Sequence, residues 1–135
     1  MTCKIKSSKG FYIGDICYAL SDSIYNGVWG SADYESGKFD VNKLSFAVAL
    51  TDDGDGCYCD NSYRFYDVDA GNIGIFPLEL VSRKTTGGHV FDGGGTAEFT
   101  FEDGVIEIVL PSGEDIVIFT YDDSDDEENV TCDDE

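Results

Sequence analysis

The stretch "TAEFTFEDGVIEIVL", from Thr96 to Leu110, decides the fold of this chain. Apolar and polar residues alternate in both arms, which is the period of a half-buried strand. Asp103-Gly104 lies between the arms, and Asp-Gly is a strong signal for a tight hairpin turn. A further turn, "PSGED", and a further apolar run, "IVIFTY", follow at once. The sequence therefore predicts a three-stranded antiparallel meander.

The first half of the chain carries the other strand patterns. "KLSFAVAL", from Lys43 to Leu50, is almost entirely apolar on both faces and therefore predicts a central strand. "CYCD" and "YRFYDVD" predict neighbouring strands, and "NIGIFPLELV" predicts a strand that ends or reaches an edge at Pro77. "FYIGDICYAL" predicts two short strands or one strand with a bulge. Ser21 or Asp22 can cap one short helix near residues 21–29.

These patterns together predict an all-β, mainly antiparallel fold of roughly seven or eight strands. The expected architecture is a sandwich or a partly open barrel, in a single domain over residues 1–121. Residues 122–135 contain nine acids in fourteen positions. Such a segment cannot bury enough apolar area to offset the entropy of ordering it, so it is predicted to be a disordered acidic tail.

The formal net charge of −20 is distributed unevenly. Residues 85–135 hold sixteen acids and neither lysine nor arginine. An anionic field of this kind repels nucleic acid and anionic membranes and attracts basic proteins or cations. The N-terminus has no leader pattern, and no apolar run is long enough to span a membrane. The five cysteines show no disulfide spacing, so we expect a cytoplasmic protein with reduced thiols and no cofactor.

Two short motifs repeat the pattern Gly-Asp-x-Cys-Tyr, in "GDICYAL" and "GDGCYCD". One interpretation makes each a turn that leads into a half-buried strand. The other makes them one ligand site for a small molecule or a metal, with hydrolysis as a candidate activity. The sequence contains no CxxC pair, the usual element of a structural zinc site, and Cys17 and His89 are the available third and fourth ligands beside Cys57 and Cys59. The residues of this alternative site are Asp15, Cys17, Asp55, Cys57, Cys59 and Asp69.

The polar positions of the meander and its turns carry only acidic charges. Cross-strand carboxylates repel one another, so a sheet that keeps them is either strongly solvated or has a reason to be negative. We expect these acids to contact a basic protein, and an extended row of carboxylates can imitate a nucleic acid in a basic groove. The expected function is that of a non-enzymatic acidic binding protein or inhibitor. The partner-binding residues are predicted to be Glu98, Glu102, Asp103, Glu107, Glu114 and Asp115.

Three segments, "YIGDICY", "GDGCY" and "VDAGNIGIFPLEL", occur in this order within roughly the first eighty residues. Their order and spacing resemble a group of small, mostly uncharacterised bacterial and phage proteins with GDxCY, GDGxY and VDxGxIGIxP elements. The resemblance implies a compact bacterial or phage cytoplasmic protein whose three elements are fold-defining turns and strands. It implies no catalytic residues, and it does not extend to the acidic second half.

Overall fold

The computed structural model describes residues 1–82 and 87–120. The predicted acidic tail, residues 122–135, lies outside this part of the chain. Within the described residues, eleven strands form three antiparallel sheets, which confirms the all-β prediction. The strands are β1 (Thr2–Ser7), β2 (Gly10–Gly14), β3 (Gly37–Val41), β4 (Leu44–Leu50), β5 (Gly56–Cys59), β6 (Phe65–Val68), β7 (Asn72–Pro77), β8 (His89–Asp92), β9 (Gly95–Glu102), β10 (Val105–Val109) and β11 (Asp115–Phe119).

Two larger sheets pack face to face as a sandwich. One has the strand order β1-β9-β10-β11, and the other has the order β3-β4-β7-β2-β8. Phe99, Ile108 and Ile118 of the first sheet share one apolar core with Ile13 and Ile75 of the second, and all five are fully buried. The alternation seen in the sequence places these side chains inward, because successive strand residues point to opposite faces.

The outer face of the five-stranded sheet is covered by helical turns. Tyr12, Phe76, Phe46 and Phe39 form a row of rings across four strands, with neighbouring centroids 5.4–6.1 Å apart. Trp29 packs in the same cluster. This covering explains why β2, β4 and β7 are apolar on both faces. The helical elements are a 3₁₀ turn (Ile16–Tyr18), the α-helical turn α1 (Asp22–Ile24), a π turn (Tyr25–Trp29) and two 3₁₀ turns (Gly30–Ala32 and Leu78–Leu80).

The short β5-β6 hairpin lies between the edges of the two large sheets. Asp60, just after β5, forms an isolated bridge with Ile118 of β11. On its other side, the Asp67 N–H donates to the Gly87 carbonyl at 2.7 Å, just before β8. The hairpin therefore covers two sheet edges whose backbone groups would otherwise be open to pairing.

Most sequence predictions of elements are confirmed. The meander is β9-β10-β11, and its Asp103-Gly104 turn has φ angles of 53° and 79°, as a type I′ hairpin requires. β4 is an interior strand, and β7 ends at Pro77. The predicted short helix is present as the run of turns beginning at Asp22.

Two predictions need correction. The first Cys-Tyr pair, Cys17 and Tyr18, lies in a 3₁₀ turn and not in a strand. The strand number is higher than expected because the sequence shows little of β1, β3 and β8. These strands lie at sheet edges, where polar residues such as Lys4 and Lys38 weaken the apolar pattern.

Candidate functional site

Four of the six predicted partner-binding acids lie on one face of the four-stranded sheet. Glu98 and Glu102 are four residues apart in β9 and therefore point to the same face. The strand register brings Glu107 of β10 and Asp115 of β11 to that face as well. This side faces away from the sandwich core, and the four carboxylates are exposed or half-exposed. We call these four residues the outer acidic face.

Glu107 lies at the centre of the outer acidic face. It is diagonal to Asp115 on one neighbouring strand and to Glu98 on the other. A hydrogen bond with Asp115 and the negative charge of Asp115 raise the pKa of Glu107, with smaller contributions from burial and Glu98. The carboxylates are therefore close enough to resist ionising together.

The outer acidic face is bounded by lysines at one edge. Lys4 of β1 lies directly across from Glu98, and Lys6 lies across from Thr96. Yet the ion pairs formed within residues 1–82 and 87–120 both belong to Arg64, and neither involves the outer acidic face. The negative patch thus extends over β9, β10 and β11 and stops short of β1.

The remaining two predicted acids lie elsewhere. Asp103 is exposed at the tip of the β9-β10 hairpin. Glu114, in the turn before β11, accepts a 2.6 Å hydrogen bond from Arg64. Arg64, from a distant part of the chain, thus neutralises Glu114, although the sequence around Glu114 contains no basic residue.

Asp15, from the first Gly-Asp motif, is fully buried in a dense hydrogen-bond cluster. Its Oδ1 accepts from the Cys17 N–H at 2.9 Å and from the Asn72 side-chain amide at 3.2 Å. Its Oδ2 accepts from the backbone N–H groups of Asp69 and Ala70, at 2.8 and 2.7 Å. These four donors occupy the lone-pair positions that a carboxylate offers. The cluster joins β2 to the loop before β7, which is a structural role.

The alternative ligand site is distributed over two regions. Asp15, Cys17 and Asp69 lie together, and the Tyr18 hydroxyl donates to the Asp69 carboxylate. Asp55 is exposed in the turn after β4, and no hydrogen bond within residues 1–82 and 87–120 links it to Asp15. Within the described ranges, no group of three or more histidines, cysteines or acids is arranged to hold a metal ion.

The β5 cysteines and the single histidine do not form a nucleophilic pair among the described contacts. Burial and the neighbouring Asp60 raise the pKa of the Cys59 thiol, which lowers its thiolate fraction at neutral pH. The His89 ring donates through Nε2 to the Phe65 carbonyl at 2.9 Å and packs edge-on against Tyr66. Cys3 and Cys59 are free thiols.

A second buried carboxylate, Asp60, was not singled out by sequence reasoning. It accepts from the Tyr66 hydroxyl at 2.7 Å, from Arg64 Nη1 at 3.0 Å and from the Ser62 and Arg64 backbone. Burial alone would raise the pKa of Asp60, but these hydrogen bonds outweigh it and hold the pKa below its usual value. The Arg64 guanidinium also lies over the Phe91 ring, 4.9 Å from its centroid. The donors to Asp60 lie within six residues of it, whereas the contacts of Arg64 with Phe91 and Glu114 join distant segments that no local spacing indicates.

No family model, curated protein or solved structure matches this chain. None of the helices in residues 1–82 and 87–120 combines the length and apolar character that a membrane span requires.

Proposed function

We propose that this chain is a non-enzymatic acidic binding protein whose outer acidic face contacts a basic protein. The observation that supports the proposal is the placement of Glu98, Glu102, Glu107 and Asp115 on one exposed sheet face without an ion pair to a described residue. Like charges on adjacent strands cost stability, and a cationic partner would remove that cost on binding.

The finer form of the proposal is imitation of a nucleic acid, which makes the protein an inhibitor. A rigid sheet holds these carboxylates at fixed positions, with Glu98 and Glu102 about 13 Å apart along β9 and Glu107 placed diagonally between strands. A basic groove that binds phosphates releases counterions when it binds such an array. The partner is then a nucleic-acid-binding protein, and duplex DNA competes for the same surface.

The test compares two variants that remove four charges each. The first carries E98Q, E102Q, E107Q and D115N on the outer acidic face. The second carries D33N, E35Q, D52N and D53N, which are exposed acids elsewhere. Both variants and the parent protein are used to capture proteins from a cell lysate at low and high salt.

We expect the parent and the second variant to retain the same basic partner at low salt and to release it at high salt. The first variant should lose most of it. If both variants captured the partner equally, binding would depend on net charge alone and not on the outer acidic face. Addition of duplex DNA tests the finer form, because a nucleic-acid mimic and DNA should displace one another from the partner.

A further inference from the structure

A cleft of about 440 Å³ lies between the ends of the two large sheets, and its lining includes none of the four residues of the outer acidic face. Phe91 contributes a half-buried ring to its wall, the buried Phe11 and Leu110 lie behind it, and Pro111 lies in the turn on its far side. Val90, which also lines the cleft, leaves 47% of its surface exposed. The volume lies within the range of small-ligand sites, and the walls combine apolar side chains with polar and charged groups.

The charges around this cleft are mostly negative. Asp92 and Glu114 both line it, and Glu114 is paired with Arg64, which is in turn paired with Asp60. Three carboxylates and one guanidinium leave an excess of negative charge. The Asp92 carboxylate is exposed and accepts no hydrogen bond from a described side chain or backbone group, and Glu114 uses only Oε2 with Arg64. Carboxylate oxygens are thus left for a second cation.

Arg64 shows which kind of cation this wall accommodates. Its guanidinium lies 4.9 Å from the centroid of the Phe91 ring while Nη2 donates to Glu114. Guanidinium groups combine stacking on an aromatic face with a forked hydrogen bond to a carboxylate, which an ammonium cannot do equally well. Arg64 already stacks on Phe91 and donates one hydrogen bond to Glu114, and both of these residues line the cleft.

We infer that this cleft binds an arginine side chain of the basic partner, together with an adjacent apolar residue. The guanidinium is placed between Asp92 and the free oxygen of Glu114, and the apolar residue packs on Phe91, Leu110 and Pro111. This inference rests on the proposed function, because the arginine is taken to belong to the basic partner. The chemistry of the cleft can nevertheless be tested without that partner.

The experiment titrates the ¹⁵N-labelled full chain with two matched probes, acetyl-Phe-Arg-amide and acetyl-Phe-citrulline-amide. Citrulline keeps the shape of arginine and removes its charge. We expect the arginine probe to shift the amide signals of Val90, Gly93, Gly94 and Ser112, which line the cleft. The citrulline probe should bind about fivefold more weakly, as expected for loss of a partly exposed charge pair.

Two variants complete the test. D92N removes a cleft carboxylate at an exposed position and should weaken the arginine probe about two- to fivefold while leaving the citrulline probe unchanged. D55N removes an exposed acid of the turn after β4 and should change neither. Equal binding of the two probes, an unchanged affinity in D92N, or shifts that avoid the cleft would each overturn the inference.

The outcome is separable from that of the proposed function. The variant with four amides on the outer acidic face keeps the cleft intact and should still bind the arginine probe. If the parent chain binds this probe at the cleft but captures no basic protein, the proposed function fails and the cleft's preference stands. If it captures a basic protein through the outer acidic face but ignores the probe, only the cleft inference fails.

Discussion

At the scale of single residues, two aspartates in nearly identical local sequences have different roles. Asp15 is fully buried and accepts four hydrogen bonds from residues up to 57 positions away, whereas Asp55 is exposed in a turn. The Gly-Asp motif favours a turn in both places. The difference arises because the first turn faces Asn72 and the loop before β7, and the second faces solvent.

Replacing Asp15 should therefore cost far more stability than replacing Asp55. In D15N the side-chain NH₂ group would face N–H donors that now contact a carboxylate, and hydrogen bonds to a charged group contribute about 1.5–3 kcal/mol each. We expect D15N to lower the free energy of unfolding by about 3 kcal/mol in urea titrations. The matched D55N variant should stay within about 0.5 kcal/mol of the parent. Similar losses in both variants would contradict the structural role of Asp15.

At the scale of secondary structure, the sheet formed by β9, β10 and β11 has one buried apolar face and one face with acidic side chains. Their inward residues, such as Phe99 and Ile108, hold the sandwich together. Their outward residues include the outer acidic face, where Glu107 is flanked by Asp115 and Glu98. The same alternation that stabilises the core thus concentrates repulsion on the opposite side of the sheet.

This repulsion predicts a pH dependence with a definite sign. A carboxyl group whose pKa is raised in the folded protein binds more protons there than in the unfolded chain. Its contribution to stability is therefore lost as pH rises through the raised pKa of Glu107. D115N removes the main cause of the shift and should raise the melting temperature at pH 7 but not at pH 3, measured by circular dichroism. E35Q, which removes a distant exposed acid, serves as the control; an equal gain in E35Q would assign the effect to net charge alone.

The molecule as a whole carries far more negative than positive charge, and its ion pairs are few. A formal net charge of −20 on 135 residues destabilises a compact state through self-repulsion. Within residues 1–82 and 87–120, Arg64 supplies the guanidinium of both ion pairs. A basic partner and dissolved salt can each relieve this repulsion, but they compete with one another.

Stability and partner binding should therefore respond to salt in opposite directions. Between about 10 and 200 mM NaCl the Debye length falls from about 30 Å to below 10 Å, which screens repulsion within the chain. We expect the melting temperature to rise over this range and the captured partner to be released. The variant with four amides on the outer acidic face should show a smaller rise. A melting temperature that falls with salt would indicate that attractive charge pairs dominate.

The sequence alone determined the β class, the meander with its Asp103-Gly104 turn and the outward alternation of Glu98 and Glu102. These features depend on near neighbours, because strand period and turn preference are local properties. The tertiary structure alone decided the burial of Asp15, the pairing of Glu114 with Arg64 and the cleft beside Phe91. Each of these requires segments far apart in sequence to meet, and their meeting depends on how the sheets pack rather than on any spacing along the chain.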